Sequence, residues 1–276
     1  MRIAYQGVPG AWGEQASRLF VPEADPDGVP TFADAFRAVA DGNAEWAAVP
    51  AENSYAGSIP QVYDLIQRHN LVIYADILLP IDHVLMALPG VALTDLTRIV
   101  SHPQALAQCD QFLASRAWTV EPLLDTAGSA RYIREHELPN VGAIASRSAA
   151  ALYGLNVVAD DIMTQVGNTT RFWLIGPEGR PPKPGRPVTT TLVLSLDNRP
   201  GALWAMLEPT AHAGINLRKI ESRPDAEPFS SRFIVELEGD FGEPATRQVV
   251  EAVFRTCRWA RMVGSYPRIP VERGAH

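Results

Sequence analysis

Pro177-Glu178-Gly179-Arg180-Pro181-Pro182-Lys183-Pro184-Gly185-Arg186-Pro187 divides the chain. Repeated proline and glycine there can sustain neither a helix interior nor a sheet ladder, so the stretch reads as a semi-rigid linker. On its N-terminal side, short apolar runs at residues 3–5, 47–49, 71–75, 99–100, 141–145 and 172–175 alternate with helical patterns, which predicts an α/β fold. Thr31-x-x-Asp34 offers a capping box, Ser58 stands just ahead of Pro60, and Thr126 precedes an alanine-rich run, each marking a helix start. Asn70 and Gly154 sit where C-terminal caps are expected. On the C-terminal side the order is strand 189–196, helix 201–213, strand 215–221, strand 230–238, helix 244–256 and strand 260–266. That is βαββαβ, the ferredoxin-like unit. Phe233, Val235 and Leu237 alternate with Arg232, Glu236 and Glu238, as in a sheet covered on one face, with Ile234 as the exception. An exposed edge or face of that sheet can pair with a second copy. The predicted domains are 1–178 and 189–272.

A chain of 276 residues that is 46% hydrophobic can bury a core without staples and more naturally holds two domains than one. Cys109 and Cys257 are far apart on helical stretches, which suggests neither a disulfide framework nor a zinc knuckle. No apolar run approaches the roughly 20 residues that span a bilayer, and Arg2-Ile3-Ala4-Tyr5 follows Met1 without a cleavable-signal pattern. The expectation is a cytoplasmic protein with no membrane contact. The net charge of −7 disfavours nucleic acid as partner. His69, His83, His102, His136, His212 and His276 are scattered without metal-site or triad spacing. Small molecules are the expected ligands, and metal, nucleotide and hydrolase readings lose support.

Three polar stretches follow strands, at whose carboxyl ends α/β sheets collect ligands, and a fourth introduces the last strand before the linker. Gln6-Gly7-Val8-Pro9-Gly10 follows a strand and opens a helix, so its turn can aim backbone N–H groups at an anion; an ordinary βα turn fits equally. Glu52-Asn53-Ser54 follows the strand at 47–49, where a solvated helix-capping turn is the plain alternative. Ser101 and Gln108 lie seven residues apart, two turns along one helical face, and can look into one site; Ser101 as a simple N-cap is the alternative. Asn168-Thr169-Thr170-Arg171-Phe172 sets an amide, hydroxyls and a carboxylate-matching guanidinium together, or else an internal ion pair.

Taken jointly and in order, these stretches resemble the prephenate dehydratase family over nearly the whole chain. The likeness is carried by Gln6-Gly7 with Gly10, Glu52-Asn53-Ser54 with Gly57, Ser101-His102-Pro103-Gln104 with Gln108, Thr126-Ala127, and Thr170-Arg171-Phe172. The C-terminal unit resembles an ACT domain of the phenylalanine-binding kind, through Gly201-Ala202-Leu203 and Glu221-Ser222-Arg223-Pro224.

The resemblance implies a catalytic domain of two α/β lobes, similar to a type 2 periplasmic-binding-protein fold with the active site between the lobes, followed by the ACT domain. It implies conversion of prephenate to phenylpyruvate, carbon dioxide and water without a cofactor. Thr170 is then the proton donor to the leaving hydroxyl, with Glu52, Asn53, Ser101 and Gln108 in the same pocket. Gly7, Gly10, Ser54, Thr126, Arg171 and Phe172 bind substrate. Glu52 beside a dianion requires protonation or a cationic partner. L-Phenylalanine is the implied allosteric inhibitor, held between ACT domains of a homodimer or homotetramer by Gly201, Ala202, Leu203, Asn216, Leu217, Glu221 and Ser222. Trp12-Gly13 where Tyr-Ser is common, Tyr63 in place of a frequent Thr, and Arg218 in place of a small polar residue depart from the family pattern. Two other readings stand: an arogenate dehydratase, or a non-catalytic amino-acid sensor.

Overall fold

The computed structural model describes residues 1–177, 188–225 and 230–271; the linker from Glu178 to Pro187 and the predicted domain ends Glu178 and Glu272 lie outside the described residues. Two compact units emerge, Met1–Tyr63 with Ile77–Phe172, and Asp64–Asp76 with Trp173–Ile269. No helix among the described residues is long and apolar enough to cross a membrane.

The chain begins with β1 (Arg2–Gln6), α1 (Trp12–Phe20), β2 (Asp25–Val29), α2 (Phe32–Ala40), β3 (Trp46–Asn53), β4 (Gly57–Ser58), α3 (Pro60–Arg68) and β5 (Val72–Pro80). Helix α1 buries Gly13, Ala16, Ser17 and Phe20, the spacing of a single helical face. Thr31 caps α2 by accepting the Asp34 N–H, and Arg37 pairs with Asp34 one turn on. A second lobe follows: β6 (Val84–Ala87), β7 (Arg98–Ser101), α4 (Pro103–Gln108), α5 (Asp110–Ala114), β8 (Thr119–Pro122), α6 (Thr126–Glu135), β9 (Val141–Ala145), α7 (Arg147–Leu152) and β10 (Asn156–Ala159). The chain then returns as β11 (Thr169–Gly176).

The first sheet has the order β2-β1-β3-β11-β5, with the returning strand between β3 and β5 and the short β4 paired to β3. The second sheet has the order β10-β6-β9-β7-β8. Strand β9, Val-Gly-Ala-Ile-Ala, is buried at every position, as a strand covered on both faces must be. Ala127, Ala130 and Ile133 of α6 pack on one side of this lobe, and Leu106, Cys109 and Leu113 on the other. The first unit is thus a two-lobed α/β fold with one sheet to each lobe. The helix start assigned to Thr126 needs one correction: Asp125 is the cap, its carboxylate accepting the Gly128 N–H at 2.5 Å, and Thr126 is the first helical residue.

The second unit carries β12 (Val188–Ser195), α8 (Ala202–His212), β13 (Leu217–Pro224), β14 (Ser231–Glu238), α9 (Pro244–Thr256) and β15 (Trp259–Pro267). Its sheet order, β13-β14-β12-β15, gives the ferredoxin-like βαββαβ arrangement. Strand β13 starts two residues later than expected and continues to Pro224, because its pairing with β14 persists to Pro224 opposite Ser231. Leu192, Leu194, Val235 and Leu237 point at Met206 of α8 and at Val249, Val250 and Val253 of α9. The expected one-sided sheet is not what forms. Ile234 and Glu236, on the opposite face from that cluster, are also buried. Residues 64–76 belong to the same unit, and a Cβ at Gly264 of β15 would meet the Ile73 carbonyl oxygen at 2.5 Å, a spacing only glycine permits.

Arginines fasten that segment. Arg261 donates to the Asn70 side chain at 3.0 Å and to the Leu71 carbonyl at 3.0 Å. Arg268 grips both oxygens of Asp76, at 3.0 and 2.5 Å, and Asp76 has no exposed surface. Removing one partner of a buried pair strands the other's charge. Arg268→Ala is therefore expected to cost about 3 kcal/mol in urea unfolding, with part of the loss recovered by adding Asp76→Asn; an unchanged midpoint would show the pair to be dispensable.

Candidate active site

Asn53 ends β3 and is 4% exposed. Its Oδ1 accepts the N–H groups of Tyr55 and Ala56, both at 3.1 Å, which turns the chain sharply. Its Nδ2 donates to Asn168 Oδ1 at 2.7 Å and to Thr170 Oγ1 at 3.0 Å. Ser54 completes the clasp, its N–H reaching the Thr169 carbonyl at 2.9 Å and its Oγ accepting the Thr169 N–H at 3.0 Å. The start of β11 is thus fixed against the end of β3.

These residues border a cleft of about 470 Å³ between the two lobes of the first unit. Gln6, Gly7, Trp12, Asn53, Thr170 and Phe172 line it from the first lobe, and His83, His102, Gln104, Gln108, Asp125 and Thr126 from the second. No Lys or Arg is found among the described lining residues. Apart from the Asp125 carboxylate, which caps α6, the cleft offers neutral polar groups.

The structure brings together Gly7, Asn53, Gln108, Thr126, Thr170 and Phe172 of the residues singled out from sequence. Gly10, Glu52, Ser54, Ser101 and Arg171 are not among the lining residues. The glycine turn does not present its N–H groups as expected: Gly7 donates to the Val29 carbonyl at 2.9 Å and Gly10 to Glu14 Oε2 at 2.7 Å, so neither is open to an anion. Ser101 has no exposed surface, and its hydroxyl donates to the Ile144 carbonyl at 2.6 Å, joining β7 to β9. The N-cap of α4 is His102, whose Nδ1 accepts the Gln104 N–H. Glu52 has a cationic neighbour, Arg171 Nη1 at 3.7 Å.

Sequence reasoning missed His83 and Asp125 as lining residues, whereas Trp12, marked there as a departure from the family pattern, does line the cleft. His83 is 4% exposed; its Nε2 lies 3.0 Å from Gln108 Oε1, and its Nδ1 is buried without a partner. Burial pushes its pKa down to about 4, against a partial opposing effect of the Gln108 hydrogen bond. Trp12 meets the His83 ring edge-on at 6.1 Å, and the Trp12 Nε1 is likewise buried without a partner. Histidine spacing carried no signal for such a residue; only the unusual Trp12 did. His102 is also pushed down by burial, opposed by Asp125.

In the second unit, Gly201 N-caps α8 at φ +79°, a conformation that favours glycine. Glu221 lies 3.3 Å from Lys219 and 3.8 Å from Arg223. Arg218 donates to Glu238 at 2.5 Å, and this hydrogen bond holds the Glu238 carboxyl below its usual range.

The profile of the prephenate dehydratase family matches residues 3–180. Arogenate dehydratase 2 of Petunia hybrida is 39% identical, over 97% of this chain and 72% of its own. The crystal structure of prephenate dehydratase from Arthrobacter aurescens in complex with L-Phe superposes with a TM-score of 0.89 at 32% identity, covering 97% of this chain and 90% of that one. A structure described as GqqA, a novel type of quorum-quenching acylase, superposes with the same TM-score of 0.89 at 33% identity over 98% of each chain. The chain belongs to the prephenate dehydratase family. It is a lyase of the dehydratase type, with prephenate/arogenate dehydratase activity in aromatic amino-acid biosynthesis.

The buried neutral His83 couples stability to pH. The unfolded chain takes up a proton there near the ordinary 6.5, the folded chain only near 4, so acid favours unfolding as pH falls through that window. Between pH 7 and 4.5 the contribution of His83 is expected to remove about 2–3 kcal/mol from the unfolding free energy, and His83→Gln is expected to flatten that portion of the curve in urea titrations.

Proposed function

We propose that the chain is a prephenate dehydratase, forming phenylpyruvate, carbon dioxide and water, and that L-phenylalanine inhibits it allosterically. The observation that carries the reading is the Asn53–Thr170 contact in a cleft whose described lining holds no Lys or Arg. Because Asn53 Nδ2 supplies a hydrogen to Thr170 Oγ1, the threonine's own hydrogen is left to be donated elsewhere. In the reaction the ring carboxylate departs as carbon dioxide, its bonding electrons complete the aromatic ring, and the ring hydroxyl leaves with one added proton as water. Thr170 donates a hydrogen bond that polarises that hydroxyl, and because a threonine O–H is a weak acid, the added proton is delivered through water. Aromatisation drives the step, so alignment of the departing groups supplies much of the acceleration. Gln108 and Thr126 provide further donors, Gly7 and Phe172 shape the wall, and Arg171 offsets the charge of Glu52. Ser101 acts from behind by holding β7 to β9. Gly10 and Ser54 likewise brace the loops they sit in.

We assign catalysis to residues 1–178 and regulation to an ACT domain at 189–272, in a homodimer or homotetramer working in the cytoplasm. Gly201, Ala202, Leu203, Asn216, Leu217, Glu221 and Ser222 are the proposed effector residues. The L-Phe complex of the Arthrobacter relative supports the effector. The plant relative's name keeps arogenate, the amino-acid analogue, as an alternative substrate.

The likeness to GqqA raises a second reading, acyl-group hydrolysis in the same cleft. An acylase nucleophile needs an adjacent base. The Thr170 hydroxyl instead meets the Asn53 amide, which cannot take its proton, and this favours the dehydratase.

Thr170→Ala is expected to lower kcat for phenylpyruvate formation by about 10²–10⁴-fold with KM within a few-fold; near-normal turnover with only KM changed would remove Thr170 from its role. In the same assay L-phenylalanine is expected to suppress wild-type turnover and to raise the melting temperature. Failure to bind or inhibit at any concentration would defeat the regulatory assignment.

A further inference from the structure

We infer that His83 is a positioning residue of the dehydratase site: its imidazole locks the side-chain amide of Gln108 so that the NH₂ group, not the carbonyl, is presented to the cleft. The inference rests on the dehydratase reading and adds a residue to it.

Four observations converge. His83 Nε2 lies 3.0 Å from Gln108 Oε1, a contact that is a hydrogen bond only if Nε2 carries the proton. A neutral ring then has a bare Nδ1, and Nδ1 is indeed buried without a partner. An orphaned acceptor there is far easier to bury than the opposite tautomer, which would strand an N–H donor and set two lone pairs against each other. Burial also keeps the ring neutral at ordinary pH, so the lock is not released by protonation there. The backbone of Gln108 is held as well, its carbonyl accepting the Thr164 N–H at 2.8 Å where α4 ends. With the carbonyl oxygens of both its backbone and its side chain engaged, what remains of Gln108 is a two-hydrogen donor.

Such a donor matters because the described cleft lining holds no Lys or Arg. An anionic substrate must be held by oriented neutral dipoles, and an amide free to flip would present a repulsive carbonyl half the time. His83 removes that ambiguity without touching the substrate. The Trp12 edge against its ring keeps the imidazole in place.

The test has two arms. The first is ¹⁵N NMR of ring-labelled histidine in the full chain at pH 7, with the His83 signal assigned by its loss in His83→Gln. The Nε2–H tautomer with unprotonated Nδ1 is expected; an Nδ1–H tautomer or an imidazolium would overturn the proposal. This arm does not depend on activity, so it stands or falls separately from the dehydratase reading, which fails if the wild type turns over neither prephenate nor arogenate. The second arm is a kinetic cycle of His83→Leu, Gln108→Ala and the double variant. His83→Leu is expected to lose roughly 10–100-fold in kcat/KM, the double variant to be no worse than Gln108→Ala, and His83→Gln, which restores an N–H donor, to recover at least about tenfold over His83→Leu. Additive losses in the double variant, or a His83→Leu enzyme at wild-type rate, would overturn it. Should His83→Leu fail to fold, the tautomer and the His83→Gln rate decide the matter.

Discussion

The hydrogen bonds of one amide, that of Asn53, determine what the cleft can do. They tie the end of β3 to Asn168 and Thr170, residues 115 and 117 positions further along the chain. Each such bond contributes only about 1 kcal/mol net, but leaving a buried amide unsatisfied costs about 1–3 kcal/mol. The network therefore specifies one arrangement strongly. It also decides a direction: an Asn side chain that donates to a hydroxyl makes that hydroxyl a donor in turn. Orientation at Thr170 is inherited from the turn that Asn53 makes with Tyr55 and Ala56.

The same logic extends across the cleft. A site without lining cations handles an anion through dipoles that are already aligned and need no reorganisation when charge moves. Asn53 aims Thr170 from the first lobe, and His83 aims Gln108 from the second. Arg171 and Glu52 stand outside this layer. Arg171 is 6% exposed and lies near Glu52 without being among the lining residues.

Much of this was legible in the sequence, and the exceptions have physical reasons. Alternation of apolar runs with helical patterns marks both sheets, and Thr31, Asn70 and Gly154 mark helix ends because their chemistry is local: Thr31 accepts an N–H three residues on, while Asn70 and Gly154 adopt positive φ. Glu52-Asn53-Ser54 and Thr170-Arg171-Phe172 could be suspected from their place at strand ends. What failed was anything decided by a distant partner. The glycine turn looked like a ring of free donors until Val29 and Glu14 took them. Ser101 looked like a site residue until the Ile144 carbonyl, on a neighbouring strand, claimed its hydroxyl. His83 had no telling spacing, since its significance comes from burial. The second face of the ferredoxin-like sheet read as exposed because nothing in residues 230–238 announces that the segment at 64–76 belongs to the same unit.

The most direct test of this account is single-turnover dehydration of prephenate by Asn53→Asp. The carboxylate is isosteric with the amide but accepts where Asn53 donates, so it should capture the Thr170 hydrogen and turn it from the cleft, while Oδ1 keeps its bonds to Tyr55 and Ala56. The account predicts a chemical step slowed about as much as in Thr170→Ala, with no further loss when the two changes are combined. A rate near that of the wild type would show that Thr170 is not oriented by Asn53, and the central claim would fail.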